Sequence, residues 1–506
     1  MDIINFQSHR KWLVLALIVA AFIRLATLGA YPLTDNTEAR YAEIAREMLI
    51  SGNWITPQLD GIKFWAKPPL SFWITAGTMS LFGVNEFAAR LSPLLVSLLV
   101  VWLSYFLAVR QRGHDYALAA TVVLVSSVLF FISSGAVMTD PALTLGTTLS
   151  MVAFWRAMNG SGIRGIIWGY LFFLGLAIGL LAKGPIGVVL TFIPIGVWVL
   201  WKSSWRVLWS RIPWVSGLLL MAALALPWYF AAEARTPGFL DYFLIGEHWK
   251  RFTQPGWAGD LYSYAHNQPR GMIWLFWLMA TFPWSVVFIA SWIRTFIKRH
   301  QFLSFFHKAD EWTIYLLLWA VSPLLFFTLS GNILWTYVLP GLPAFSLLLA
   351  QGWFPVSLPY TGEDPDYHRW AVVRSIAGLS TPLIFGLLIL VWSMTPVKYS
   401  QKYLISRYLV SRPNTKSQLI YLYDRPYSAE FYSSGNAVKV TDLARIEAFL
   451  GNGVQDFFAV KRSHVSGLMK KFDKKLVRLG TYDDFILLCE PEETRSAVMK
   501  VPSNIQ

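Results

Sequence analysis

The chain has 506 residues, of which 55% are hydrophobic and 14% are charged, and its mean hydropathy is +0.46. Soluble domains carry about 25% charged residues, so this composition excludes a water-soluble protein and indicates a polytopic membrane protein. The formal net charge of +14 does not indicate nucleic-acid binding, because the basic residues fall in short loops between apolar runs. A single cysteine, Cys489, excludes an intrachain disulfide.

Apolar runs along the chain predict an all-α membrane domain. A helix needs about 20 apolar residues to cross the hydrocarbon core, and the runs predict about eleven spans, with about thirteen as the upper limit. The short break at Lys183-Gly184-Pro185 leaves open a single kinked element in place of two spans. The spans are predicted at residues 12–31, 87–109, 115–134, 140–157, 164–182, 184–201, 212–231, 271–293, 312–330, 333–353 and 371–395.

Basic residues in the loops predict the orientation. Arg10 and Lys11 precede the first span, and further basic residues lie in the loops 110–112 and 202–211. Because cytoplasmic loops are enriched in lysine and arginine, the N-terminus and these loops are expected inside.

The same topology predicts two domains. Residues 1–396 form the membrane domain, with long outer loops at 32–86 and 232–270, and residues 397–506 form a small α/β domain on the outer, periplasmic side. Alternating apolar and polar residues predict strands in this tail. Strands are expected near 418–423 and 485–488, and helices near 441–450 and 463–472.

The first outer loop contains a predicted helix over residues 35–49. Its apolar residues recur at helical spacing, which indicates an amphipathic helix lying along the membrane interface. Asp35 could serve as its N-cap, with Glu38 completing a capping box, or both carboxylates could serve in catalysis. A carboxylate paired with Arg40 would have a lowered pKa.

Other charged residues stand at the edges of the outer loops. Lys67 precedes Pro68 and is held at an extended corner, where it could contact a substrate or anchor to lipid phosphate. Asp140 lies in a short outer loop, where capping of the following span is the alternative, and Lys183 lies at another outer turn. Glu247-His248 gives only weak evidence for a metal site, because no second ligand spacing accompanies it.

These residues converge on one face of the membrane. Cations would suit an anionic phosphate group, and carboxylates would suit the orientation or deprotonation of a hydroxyl or amine. The carboxylates are Asp35, Glu38 and Asp140, and the cations are Arg40, Lys67, Lys183 and Arg251.

The order of the motifs resembles the bacterial aminoarabinose transferases, which belong with the protein O-mannosyltransferases in the GT-C class of membrane glycosyltransferases. The resemblance extends over about residues 10–350. The motifs are Thr37–Ile44, Ser51–Pro57, Lys67–Leu70, Phe82–Arg90, Asp140-Pro141, Lys183-Gly184, Glu247-His248 with Arg251-Phe252, and Thr336–Pro340.

This resemblance implies a GT-C fold and the transfer of a sugar from an undecaprenyl phosphate donor. The acceptor would be lipid A or a related envelope molecule at the periplasmic face of the bacterial inner membrane, with inversion at the anomeric carbon. No cofactor would be required, and membrane lipids would surround the enzyme. Arg40, Tyr41, Lys67, Lys183, Arg251 and Tyr337 would form the donor phosphate site, and Asp35, Glu38 and Asp140 would be the catalytic acids.

Departures from the family pattern leave several points open. Ala66 stands where the aminoarabinose transferases have a glutamate associated with zinc, so the use of a divalent metal stays open, with Glu247 and His248 as candidate ligands. Thr37 replaces an aspartate, and these changes leave the donor sugar open among galactosamine, mannose and another sugar in place of aminoarabinose. Transfer to a protein is one alternative function. A transporter or flippase is another, although the main charge inside a span, Arg24, is explained by snorkelling to the surface.

Overall fold

The computed structural model describes residues 2–262, 265–297, 310–352, 365–393, 399–450, 452–472 and 476–491. The chain divides into two compact units. The first unit comprises Met1–Gly29, Ser51–Pro57 and Lys63–Leu388, and the second comprises Ala30–Ile50, Gln58–Ile62 and Ile389–Gln506. The second unit therefore contains, besides the tail, two segments of the predicted first outer loop.

Helices account for most of the described residues that precede the tail. A π-helix spans Asp241–Lys250, a 3-10 helix spans Trp335–Gly341, and a small hairpin pairs β1 (Gln58–Leu59) with β2 (Ile62–Lys63). The α-helices are Asp2–Thr27, Thr37–Ser51, Leu70–Phe82, Glu86–Arg112, His114–Ser126, Val128–Ser133, Asp140–Asn159, Gly162–Lys183, Ile186–Lys202, Trp205–Arg211, Trp214–Arg235, Arg251–Thr253, Met272–Ala280, Trp284–Ile297, Glu311–Thr328, Leu342–Gln351 and Pro365–Ser393.

Each predicted span coincides with a helix or with consecutive helices, but several of these helices are short or broken. The helix Leu70–Phe82 falls within the predicted outer loop 32–86. The number of eleven spans therefore stays a prediction. Among the described residues, five helices are long and apolar enough to cross a membrane, or six if the bent pair Met272–Ala280 and Trp284–Ser291 is one span. The five are Glu86–Arg112, Gly162–Lys183, Trp214–Arg235, Glu311–Thr328 and Val373–Trp392.

Glycines bring the helices Asp140–Asn159 and Gly162–Lys183 into close contact. A Cβ atom on Gly146 would lie 2.6 Å from the backbone nitrogen of Gly179 and 2.8 Å from the carbonyl oxygen of Gly175. Small residues allow such an approach between membrane helices. Because the connection between the two helices is very short, the start of the first helix lies beside the end of the second.

Arg24 is buried within the first unit. Its side chain is only 3% exposed, and its guanidinium lies 4.1 Å from the ring centroid of Phe131 and 4.7 Å from that of Phe385. The explanation by snorkelling is therefore wrong, because aromatic rings stabilise the cation inside the protein.

The helix predicted over residues 35–49 is present as Thr37–Ser51, but its predicted place on the membrane surface is wrong. All residues from 38 to 46 are buried in the protein, so neither face is free to lie on lipid. Its charges are satisfied locally: Arg46 Nε donates to Glu43 Oε2 at 2.7 Å. Glu38 Oε2 accepts from the backbone nitrogen of Thr34 at 3.2 Å.

A five-stranded sheet forms the centre of the second unit and confirms the predicted α/β tail. Its strands are β3 Leu419–Leu422, β4 Ala437–Val440, β5 Phe457–Lys461, β6 Val477–Tyr482 and β7 Phe485–Cys489. The strand order is β4-β3-β5-β7-β6, with β3 parallel to β4 and β5, and β7 antiparallel to β5 and β6. Leu419 and Tyr421 of β3 pack on one face and Ile420 and Leu422 on the other, as in a strand covered on both faces. The helices of the same region are Lys402–Ser411, Tyr427–Tyr432, Leu443–Phe449 and Arg462–Phe472.

Candidate active site

A cavity of about 390 Å³ in the first unit brings together six residues that the sequence singled out: Lys67, Lys183, Glu247, His248, Arg251 and Tyr337. Lys67 lies just before the helix Leu70–Phe82 and Lys183 ends the helix Gly162–Lys183. Glu247 lies in the π-helix, Arg251 follows it directly, and Tyr337 lies in the 3-10 helix. Short π-helical segments often accompany functional sites, because the wider turn changes where side chains point.

Glu247 contacts two of the three cations that line the cavity. Its Oε2 atom lies 3.2 Å from Lys67 Nζ and 3.1 Å from Arg251 Nη1. The carboxylate side chain is 3% exposed, whereas those of Lys67 and Arg251 are 18% and 13% exposed. Burial alone would raise the pKa of Glu247, but the charges of Lys67 and Arg251 outweigh burial and hold the pKa below its ordinary value.

Lys183 holds Asp140 at the same cavity. Lys183 Nζ lies 2.6 Å from Asp140 Oδ1 and 4.6 Å from the ring centroid of Tyr337. Asp140 is the first residue of its helix, and the N-cap position belongs to Thr139, which makes no side-chain capping bond. Asp140 therefore forms an ion pair with Lys183 and does not serve as the N-cap, which was the alternative role in the sequence analysis.

Apolar side chains complete the wall of this cavity. They come from the π-helix and from the helices Asp140–Asn159, Ile186–Lys202, Arg251–Thr253 and Glu311–Thr328. A cavity lined by both cations and apolar side chains can accommodate an amphiphile with an anionic group. The apolar residues include Leu143, Ile186, Val189, Leu190, Leu244, Phe252, Phe326 and Phe327.

Four predicted site residues lie in the second unit. The Asp35 carboxylate accepts hydrogen bonds from the backbone nitrogen of Ser428, at 2.9 Å, and from the Ser428 hydroxyl. Burial raises the pKa of Asp35 to about 6, so the lowered pKa expected from pairing with Arg40 is wrong. The Arg40 guanidinium lies 5.2 Å from the ring centroid of Tyr41, and Glu38 contacts Thr34 as described above.

The candidate metal ligands do not fit a metal ion. The two ring nitrogens of His248 face backbone carbonyl oxygens, Nδ1 that of Phe243 at 2.7 Å and Nε2 that of Lys183 at 3.1 Å. Neither nitrogen therefore presents a lone pair to open space. Glu247 is engaged by Lys67 and Arg251, and Ala66 supplies no ligand atom.

The sequence did not reveal the residues that support the cations. Asp260 Oδ2 lies 3.0 Å from Arg251 Nη1, and the Tyr242 hydroxyl donates to Glu247 Oε1 at 3.2 Å. The Asn332 amide donates to the carbonyl oxygen of Arg251 at 2.6 Å. No motif or spacing indicated these partners.

Comparison with known proteins relates the chain to lipid-dependent glycosyltransferases. The family model for dolichyl-phosphate-mannose-protein mannosyltransferase matches residues 12–243. The undecaprenyl phosphate-alpha-4-amino-4-deoxy-L-arabinose arabinosyl transferase 1 of Pseudomonas fluorescens is 33% identical over 349 residues, covering 67% of this chain and 58% of the relative. The chain is a relative of the aminoarabinose transferases. A second relative, from Pseudomonas aeruginosa UCBPP-PA14, is 32% identical over 68% of this chain and 60% of its own length.

This resemblance to the aminoarabinose transferases extends to the fold. The crystal structure of ArnT from Cupriavidus metallidurans bound to undecaprenyl phosphate superimposes with a TM-score of 0.78, covering 96% of this chain and 99% of ArnT at 18% identity. The oligosaccharyltransferase of Archaeoglobus fulgidus gives a TM-score of 0.52 at 12% identity. The chain is thus a polytopic membrane protein with the predicted GT-C fold and a small C-terminal α/β region. It spans about three-fifths of the length of the curated relatives that it matches.

Proposed function

We propose that the chain is an inverting glycosyltransferase that moves a sugar from an undecaprenyl phosphate donor to lipid A or a related envelope acceptor. The observation that carries this proposal is the cavity in which Lys67, Lys183 and Arg251 lie beside Tyr337 and an apolar wall. The cations suit the carrier phosphate and the apolar wall suits its prenyl chain. The relatives named for a transfer from undecaprenyl phosphate support the same assignment.

The cations in this cavity would act on the leaving group. When the bond between the anomeric carbon and the phosphate oxygen breaks, negative charge develops on the phosphate, and fixed cations lower the barrier by stabilising that charge. Glu247 and Asp140 hold Lys67, Arg251 and Lys183 in place before the donor binds. The cations would then be positioned with little further reorganisation.

The acids would act on the acceptor. A carboxylate accepts the proton from the attacking hydroxyl or amine while the new bond to the anomeric carbon forms. We assign this step to Asp140, with Asp35 and Glu38 as further acids of the first loop. Arg40 and Tyr41 lie in the second unit, and the role at the donor phosphate that the resemblance implies for them stays a prediction. The donor sugar itself is left open, because Thr37 and Ala66 depart from the aminoarabinose pattern.

The proposed place of the reaction is the periplasmic face of the bacterial inner membrane. The loop charges support this orientation, because basic residues concentrate in the loops assigned to the cytoplasm. Alkaline phosphatase fused near Tyr432 should be active, and the same enzyme fused near Arg206 should be inactive. The reverse pattern would contradict the orientation and the side assigned to the site.

Mass spectrometry of the envelope tests the proposed reaction. A strain lacking this chain should lose a single sugar substituent from lipid A or a related lipid, and complementation with the wild-type chain should restore it. Unchanged envelope lipids in the deletion strain would contradict the proposal.

Transfer to protein is the second candidate function. It is favoured by the match of residues 12–243 to the protein mannosyltransferase family model. Mass spectrometry of the envelope distinguishes this function from transfer to a lipid. If the chain acts on protein, the deletion strain would keep its lipid substituents and lose O-linked sugars from envelope proteins.

A further inference from the structure

The second unit contains a cleft of its own, with a volume of about 750 Å³. This volume lies within the range of about 300–1,000 Å³ that is usual for ligand pockets. The cleft lies at the carboxyl ends of the parallel strands β3, β4 and β5, with β4 and β5 on opposite sides of β3. In open α/β sheets, ligands bind at this edge where the strand order reverses, because the loops there diverge and leave a crevice.

The sheet topology explains why polar residues meet at this edge. Asp424 and Tyr427 follow β3, Lys439 lies near the end of β4, and Arg462 follows β5. The turn between β6 and β7 reaches the same edge, because β7 runs antiparallel to β5. That turn adds Asp484 to the cleft.

Several charges of the cleft neutralise one another. Arg425 Nη2 lies 2.6 Å from Asp60 Oδ2 and 3.1 Å from Glu430 Oε2. Lys461 Nζ lies 2.5 Å from Asp424 Oδ2. These pairs give the cleft a fixed polar lining and remove much of its net charge.

Three further charged side chains of the cleft are available to a ligand. In the part of the chain that the structure describes, Lys439, Arg462 and Asp484 have no hydrogen bond or ion pair through their side chains, and all three are exposed. Two are donors and one is an acceptor. A polyphosphate or a polyamine would meet an unfavourable charge here, whereas a ligand with many hydroxyl groups can use both kinds of partner.

Aromatic rings give the cleft apolar surface beside these polar groups. Tyr399 is 67% exposed, and Tyr427 and Phe485 also line the cleft. A sugar ring presents C–H groups on its faces and hydroxyl groups at its rim. It therefore fits a cleft in which aromatic rings stand next to carboxylates and basic groups.

We propose that this cleft is a carbohydrate-binding site, in which Arg462, Lys439 and Asp484 hydrogen-bond the hydroxyl groups of a sugar that packs against Tyr399 and Tyr427. The proposal goes beyond the transfer reaction and does not depend on it, because binding can be measured with no donor present.

Saturation-transfer difference NMR tests the proposal on the full chain in phospholipid nanodiscs. Glycoside detergents are avoided, because their sugar head groups could occupy the cleft. The probes are glucose, mannose, galactose, glucosamine and arabinose, with inorganic phosphate and spermidine as charged alternatives. The test variant combines Arg462→Met with Asp484→Asn. The control combines Arg445→Met with Asp442→Asn, two exposed positions of the same unit outside the cleft.

At least one sugar should bind the wild-type chain, and the test variant should weaken that binding about tenfold or more, since hydrogen bonds to charged groups are removed. The control variant should bind as the wild type does. Three results would overturn the proposal: no binding by any sugar, equal binding by the test variant, or binding of phosphate or spermidine alone. None of these results concerns the transfer of a sugar from the donor, so the proposed function is tested separately.

Discussion

At the scale of residues, the candidate active site is a set of opposite charges held in a largely apolar surrounding. Glu247 stands between Lys67 and Arg251, and Asp140 stands beside Lys183. Buried ion pairs add little net stability, but the loss of one partner leaves an uncompensated charge. The carboxylates therefore matter chiefly because they keep the cations in place when no phosphate is bound.

Replacing Glu247 by glutamine tests this role. Glu247→Gln should destabilise the chain by about 3 kcal/mol, because Lys67 loses the carboxylate that pairs with it, while Arg251 keeps its pair with Asp260. Added undecaprenyl phosphate should raise the thermal unfolding temperature of the variant more than that of the wild type, since the phosphate supplies the missing negative charge. Asp241→Asn, an exposed change in the same π-helix, is the control. Equal stabilisation of the variant and the wild type by the lipid would argue against the role of Glu247.

How much of the site could be predicted depended on whether a residue belonged to a motif. Lys67, Lys183, Arg251 and Tyr337 stand in recognisable motifs, and the structure brings them to one cavity. The contact between Lys67 and Glu247 joins residues 180 positions apart, a distance that no local spacing can reveal. The same limit hid Asp260 and Asn332.

At the scale of elements, the pairing of the helices Asp140–Asn159 and Gly162–Lys183 positions part of the site. Gly146→Val should disrupt this pairing, because its side chain would meet the backbone of Gly175 and Gly179. The ion pair between Asp140 and Lys183 would separate, and both folded yield and transfer activity should fall sharply. Gly196→Val is the matched control, since a Cβ atom there has no neighbour within 4 Å. Normal activity in the Gly146 variant would contradict this account of the helix pair.

The second unit contains a buried acidic contact whose effect depends on pH. Burial raises the pKa of Glu43 from 4.5 to about 7 and that of Glu430 from 4.5 to about 8. The folded state therefore binds protons more tightly than the unfolded state. The stability from this linkage is complete below about pH 4.5 and is lost as the pH rises through about 7 and 8.

The thermal unfolding temperature of the wild-type chain should accordingly fall between about pH 5.5 and about pH 8.5. Glu430→Gln should reduce that fall, because the amide does not titrate. Glu447→Gln, at an exposed position, should leave the pH dependence as it is in the wild type. The same pH dependence in all three proteins would contradict the linkage.

Sequence patterns predicted the positions of helices and strands better than they predicted what packs around each element. Long apolar runs gave the positions of the membrane helices, and alternation gave β3 and β7, because both signals are local. The helix Thr37–Ser51 has an amphipathic pattern, but the protein covers both of its faces. The break at Ser127 could not be foreseen, since Ser126 and Ser127 stand within a run that is otherwise apolar.

At the scale of the whole molecule, the helices of the first unit and the cavity that they line support the proposed function. Helices long enough to cross the bilayer carry the cavity, and its apolar wall and cations suit the two ends of a lipid phosphate. The similarity to ArnT covers 96% of the chain, so it includes the C-terminal α/β region as well as the helices. We propose that the carrier phosphate binds between Lys67, Lys183 and Arg251.

The most direct test is a titration of the purified chain in phospholipid nanodiscs with undecaprenyl phosphate. Lys67→Ala and Arg251→Ala should each weaken binding about tenfold or more, because each removes a charged contact to the phosphate. Lys63→Ala, an exposed lysine nearby in the sequence, should bind as tightly as the wild type. Equal affinity in the wild type, Lys67→Ala and Arg251→Ala would contradict the assignment of this cavity as the donor phosphate site.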